Sequence, residues 1–225
     1  MSAVNSAAAQ AAALRAGARK GVWRRLVAFC GLRTKAMVRA DVAAARWAHG
    51  AAGEAATARL VEPLRAEGWH VLHDRALPGS RANLDTILVT PCGTGVVVLD
   101  TKAWHRGRPT TLIRGRVCCG AEDRHRQVEA VVSYAHRVAA AVGIPVGHVA
   151  PLLVVHGSPI PGGHLAARVD GWEAPVFVLG ADWLLSTLRK TAQDRMPNAV
   201  MAGQLARHAE VVLPRYLSGS QAPSA

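Results

Sequence analysis

Residues 149–156, VAPLLVVH, form a nearly continuous apolar run. A run this short is a strand, and one without polar alternation is a strand covered on both faces. Helices on each side of a sheet supply that cover, so the run points to an α/β architecture. The segments before it agree. Residues 53–67 read as a helix with Leu60, Val61 and Leu64 on one face and Gly68 as its stop, while Pro63 kinks or shortens its last turn. Strands are expected over 69–77, 84–90 and 96–102, punctuated by Pro78-Gly79-Ser80 and Pro91-Cys92-Gly93-Thr94-Gly95. Residues 111–119 read as a further short strand or ribbon. A long amphipathic helix over 124–142 follows, with Val128, Val131, Val132, Ala135, Val138, Ala139 and Val142 on one face and Gly143 and Pro145 behind it. Beyond residue 156 the pattern gives a strand over 175–179 and helices over 182–190 and 199–216. The core order is α-β-β-β-α-β.

The ends of the chain differ from this middle. Residues 1–49 are rich in Ala and Arg, with helical propensity but a poor apolar stripe. They read as a helical or partly disordered arm that Gly17, Gly21 and Gly31 would break. The organisation expected is an arm over 1–49, a domain over 50–217 and a flexible tail over 218–225. Of the formal net charge of +12, residues 1–50 carry +8, with nine Lys/Arg against Asp41 alone. The sign favours an anionic partner, nucleic acid or an acidic membrane surface, although the globular part is only mildly basic. The apolar run over 26–32 is too short to span a bilayer and lacks a convincing cleavage site, so neither a signal peptide nor integral membrane association is expected. Cys30, Cys92, Cys118 and Cys119 show no C-x-x-C spacing, which argues against a zinc ribbon and suits free thiols in a reducing, cytoplasmic setting.

Chemistry is carried by VVVLDTK, residues 96–102, apolar until Asp100 and Lys102 appear on the face shared with Val96 and Val98. Asp85 shares a face with Ile87 and Val89 on the strand before. With Cys92-Gly93 as a two-residue loop, Asp85 falls opposite Asp100; a four-residue loop puts it opposite Lys102; an odd-length loop without a bulge turns it away. Two carboxylates side by side in a sheet repel one another unless a divalent cation joins them, and hard oxygens suit Mg²⁺ or Mn²⁺. A lysine two residues on can orient an attacking water or stabilise charge developing on a phosphate. Lys102 is the only lysine between Lys35 and Lys190 in a chain that otherwise uses arginine.

The stretch from Gly53-Glu54 through Asn83-Leu84-Asp85 and Val98-Leu99-Asp100-Thr101-Lys102-Ala103-Trp104 to Gln127 resembles the nuclease-related domain (NERD) family of the PD-(D/E)xK nuclease superfamily. The resemblance implies a restriction-endonuclease-like αβββαβ core, with a central mixed sheet flanked by helices and a Mg²⁺-type site. It implies a nuclease acting on DNA before RNA. By the same resemblance Asp85 and Asp100 are the motif's acids and Lys102 its lysine, Glu54 completes the metal set, and Gln127 is a polar site position on the second core helix. Leu84 stands in place of the motif's proline, and Thr86 where histidine is expected. Arg106, Arg108, Arg114, Arg116, Arg124 and Arg126 could line a phosphate-tracking surface. Trp104 reads as a base-stacking or a packing residue. The rival to a metal-dependent nuclease is a nucleic-acid-binding module that keeps the fold with little turnover. A membrane-surface protein working through its basic arm is disfavoured by the arm's weak amphipathicity.

Overall fold

The computed structural model describes residues 35–80 and 82–216. The expected breaks at Gly17, Gly21 and Gly31, the apolar run over 26–32, Cys30 and the tail over 218–225 lie outside them. Two compact units are present, Met1–Ala55 and Ala56–Ala225. The first helix, α1 (Lys35–Val61), contributes to both. It begins well before the expected Gly53. Gly50 and Gly53 each cost roughly 1 kcal/mol in a helix, but the alanines around them supply propensity enough to carry the helix through. Pro63 acts as expected: the α-helix ends at Val61 and continues as a 3₁₀ turn, Glu62–Glu67, closed by Gly68 in the left-handed region at φ 84°.

The second unit is built on a six-stranded mixed sheet. Its strands are β1 (His70–Ala76), β2 (Asn83–Val89), β3 (Val96–Ala103), β7 (Val149–His156), β8 (His164–Ala167) and β9 (Val176–Gly180), in the order β1-β2-β3-β7-β9-β8. β1, β2 and β3 are antiparallel neighbours, β3, β7 and β9 run parallel, and β8 closes the edge antiparallel to β9. Sequence reading omitted β8, whose HLAA stretch is short and mostly uncovered. Between β3 and β7 the chain forms a second, three-stranded ribbon of β4 (Thr110–Ile113), β5 (Arg116–Cys119) and β6 (Glu122–Asp123), then helix α2 (His125–Val142). Helices α3 (Leu184–Gln193) and α4 (Ala199–Val212) complete the unit.

Side-chain alternation sends successive residues of β2, β3 and β7 to opposite faces. Ile87, Val89, Val96, Val98, Leu153 and Val155 pack with Val128, Val131 and Ala135 of α2 and with Ala206 and Ala209 of α4. On the other face Leu88, Val97, Leu99, Leu152 and Val154 pack with Val61, Leu64, Leu184 and Leu188. The fold is thus α/β, with helices on both faces of a mixed sheet. It fits the restriction-endonuclease-like core that the resemblance implies.

One contact fixes the hairpin between β2 and β3. Gly93, at φ 71°, lies against the backbone of α4, where a Cβ would come within 2.4 Å of Ala202 N. Asn198 donates its backbone N–H to Pro91 O at 2.8 Å and caps α4 by accepting from Met201 N at 3.0 Å.

Candidate active site

The register of β2 against β3 decides whether the acids meet. Thr86 pairs with Leu99 and Val89 with Val96, so the next position places Asp85 opposite Asp100. This is the arrangement of the two-residue loop. Thr90 donates its backbone N–H to Gly95 O at 3.0 Å, and Gly93 closes the turn on Thr90 O at 2.9 Å. Asp85 Oδ2 accepts the backbone N–H of Thr101 at 2.8 Å, which holds one carboxylate across the strand end.

Asp100 is the more enclosed acid, 8% exposed. Its Oδ2 lies 2.6 Å from Lys102 Nζ, yet that close ion pair leaves the oxygen without a properly directed hydrogen bond. Burial pushes the Asp100 carboxyl above the usual carboxylate range, against the pull of Lys102. Burial alone would lower the Lys102 ammonium; the charges of Asp100 and Asp85 outweigh it and hold the lysine above its ordinary value. The Asp100 shift reflects its poor solvation, and the Lys102 shift reflects the two acids that favour its cationic form. Tyr134, on α2, belongs to the same electrostatic neighbourhood: burial, then Asp100, raise its phenol, with Asp85 contributing further.

A buried carboxylate oxygen lacking a directed donor, opposite a second carboxylate, fits a hard divalent cation that keeps several waters. Asp85 and Asp100 are the residues that could hold it. Among the described residues, no three His, Cys, Asp or Glu side chains gather as a ready-made metal group. Glu54 lies half-buried on the part of α1 that belongs to the first unit.

Gln127, in the first turn of α2, accepts a hydrogen bond from Trp104 Nε1 at 3.0 Å and so ties the helix start to the end of β3. Trp104 is 5% exposed within the core, so it packs rather than stacks on a base. The six arginines divide into two sets. Arg108 and Arg124 both pair with Glu122, and Arg116 pairs with Asp123 at 2.6 Å. Arg106, Arg114 and Arg126 are exposed and make no ion pair among the described residues.

Sequence reading passed over a hydrogen-bonded chain behind the site. Thr101 donates its hydroxyl to Thr57 Oγ1 at 3.1 Å, and Thr57 Oγ1 lies 2.7 Å from His156 Nε2. Burial lowers the His156 imidazole, partly offset by Asp182, which favours the neutral ring beside Thr57. Thr57 is fully buried on a helix face, a neutral-looking position in the sequence. The available signal was Thr101 pointing away from Asp100 and Lys102 by strand alternation, a polar side chain that needs a partner.

Residues 49–156 match the nuclease-related domain family. This stretch of the chain belongs to that family and holds Asp85, Asp100, Lys102 and Gln127 within its bounds. No curated protein and no solved structure matches the chain. Among the described residues no helix is long and apolar enough to cross a membrane.

Proposed function

We propose that this domain is a metal-dependent nuclease that hydrolyses phosphodiester bonds in DNA. The observation that carries the reading is the Asp100–Lys102 contact of 2.6 Å, with Asp85 on the facing strand, inside a nuclease-related domain. Asp85 and Asp100 hold Mg²⁺ or Mn²⁺, which supplies Lewis acidity to the phosphate. Thr101 N–H fixes the orientation of Asp85. Lys102, kept cationic by its two acids, directs its ammonium at the attacking water or at the charge that develops on the phosphate oxygens. The neighbouring Tyr134 phenol stays protonated and can donate a hydrogen bond. Phosphate oxygens meet a basic surface to which Arg106 and Arg126 contribute. The free thiols of Cys92, Cys118 and Cys119 support a cytoplasmic setting.

A second reading, a nucleic-acid-binding module with little turnover, is favoured by one observation: the two site acids are not joined by a third ligand in a preformed group among the described residues. Single-turnover assays on plasmid, linear and single-stranded DNA, with and without Mn²⁺, separate the two. The nuclease reading expects metal-dependent cleavage that Lys102→Ala reduces by about 10²-fold or more while binding in Ca²⁺ is retained. Binding without cleavage under any divalent metal would establish the second reading instead.

A further inference from the structure

The ribbon between β3 and α2 is anchored at its root and bare at its tip. Val117 and Cys119 are buried in the core, Thr110 donates its backbone N–H to Pro159 O at 2.8 Å, and its hydroxyl meets Ser158 Oγ at 2.6 Å. Ion pairs of Arg108 and Arg124 with Glu122, and of Arg116 with Asp123, brace the strands. At the tip, Leu112 is 41% and Ile113 47% exposed, and Arg114-Gly115 forms the two-residue turn from Ile113 to its partner Arg116.

Both turn residues have positive φ, 50° at Arg114 and 77° at Gly115. A hairpin turn of this kind is best served by Asn-Gly, because a long side chain is strained in the left-handed region. Here an arginine occupies that position, exposed and without an acid partner among the described residues. Strain of this sort is retained where it places a side chain for a purpose. The ribbon is joined through the chain to the site strand and the site helix: β3 ends at Ala103, one residue after Lys102, and α2 begins two residues before Gln127, which bonds Trp104. Arg106 and Arg126 stand, unpaired in the same sense, at its two roots. A cleft of about 590 Å³ includes Arg116, Arg137 and Arg168 in its wall, with Glu129 and Asp170 as its acids.

We propose that the β4–β5 tip is a minor-groove probe for duplex nucleic acid: Arg114 enters the groove while Leu112 and Ile113 lie against its sugar walls. The inference rests on the nucleic-acid reading above and adds the form of the ligand and the element that senses it. A narrow minor groove concentrates negative potential and attracts a single arginine, and apolar side chains at such tips pack on sugars and base edges. Two apolar residues flanking one cation are a small footprint, suited to a groove rather than to a bilayer surface.

The test compares wild type with Arg114→Asn and with a Leu112→Thr/Ile113→Thr double variant, all as full-length chains. Asn relieves the turn, so Arg114→Asn should melt at the same temperature as wild type or higher. It should nonetheless bind an A·T-rich duplex about tenfold more weakly in metal-free buffer, with single-strand affinity unchanged. A minor-groove-binding dye on the duplex should weaken wild type similarly and leave Arg114→Asn unaffected. The double variant should lose duplex affinity in the same direction. Equal duplex binding by wild type and Arg114→Asn overturns the proposal, as does an equal loss on duplex and single strand or indifference to the dye. If Arg114→Asn instead loses affinity only for phosphatidylserine vesicles, the tip is a membrane contact. If wild type binds no nucleic acid at all, the nucleic-acid reading itself has failed, and the probe falls with it.

Discussion

At the end of β3 two acids and one lysine are drawn into a sheet end where water is scarce, whereas along the β4–β6 ribbon arginines and acids pair in full view of solvent. The distances are alike, 2.6 Å for Lys102–Asp100 and 2.6 Å for Arg116–Asp123. The physics is not. Exposed pairs exchange one set of well-solvated contacts for another and contribute little. A pair of which one member is 8% exposed carries a desolvation cost that its own attraction need not offset, and an isolated fold gains little from it. Close contact alone therefore does not distinguish a brace from a site. Burial, an oxygen without a directed donor and a second acid opposite do.

The largest effect that would break this contrast concerns Lys102→Arg. If the ammonium acts as a compact point charge at the site, arginine should restore little of the cleavage that Lys102→Ala loses, a deficit of about 10²-fold in single-turnover rate. Full rescue would make Lys102 an ordinary ion-pair partner, no different from the ribbon arginines. Next, Asp100→Asn should raise the melting temperature of the metal-free protein, because the raised pKa of Asp100 means that ionising it opposes folding. Adding Mn²⁺ should raise the wild-type melting temperature and leave that of the variant unmoved. A metal response that survives the substitution would detach Asp100 from the cation.

A smaller effect belongs to the chain behind the site. Thr57→Val keeps the side-chain shape but leaves Thr101 Oγ1 and His156 Nε2 without their partner, a loss of about 1–3 kcal/mol in urea unfolding. Thr57→Ser should recover most of it. Because Thr101 N–H holds Asp85, Thr57→Val should also weaken the Mn²⁺-induced gain in melting temperature, a change that packing alone would not produce. The pH dependence has a definite sign. Burial lowers His156 and His73 from the ordinary 6.5, so their contribution is present above that value and is lost as pH falls through the lower folded-state values. Stability should therefore decline from about pH 6.5 downwards, less steeply in His156→Gln than in wild type. Smallest of all, Arg108→Ala should leave the melting temperature almost unchanged, since its partner Glu122 keeps Arg124. A large drop there would show that the ribbon is held by its surface charges rather than by Val117 and Cys119 in the core.

Much of this architecture was legible beforehand because apolar periodicity reports burial directly. Residues 149–156 are a strand with its expected limits, and β3 carries its charges at the predicted end. The two-residue-loop alternative for Asp85 and Asp100 is the one observed. What stayed hidden depended on tertiary context. α1 passes through Gly53, which local propensity marks as a boundary, and β8 is an edge strand too short and too exposed to leave a pattern. Arg108 and Arg116 are spoken for by acids that the ribbon's fold brings near, and Arg124 by Glu122 two residues before it. Thr57 and His156 lie 99 residues apart, and no spacing rule joins them.

The close approach of Gly93 to the backbone of Met201 and Ala202 gives the last helix a say in the chemistry. A hairpin can slip, and a slip of one residue would send Asp85 to the wrong side of the sheet. Here the loop's apex is seated against a helix more than a hundred residues later in the chain, with Asn198 gripping Pro91 from the same side. The distance between two carboxylates is in that sense calibrated from the far end of the polypeptide, and a chain released before α4 would emerge with its strands in place and their alignment unguarded.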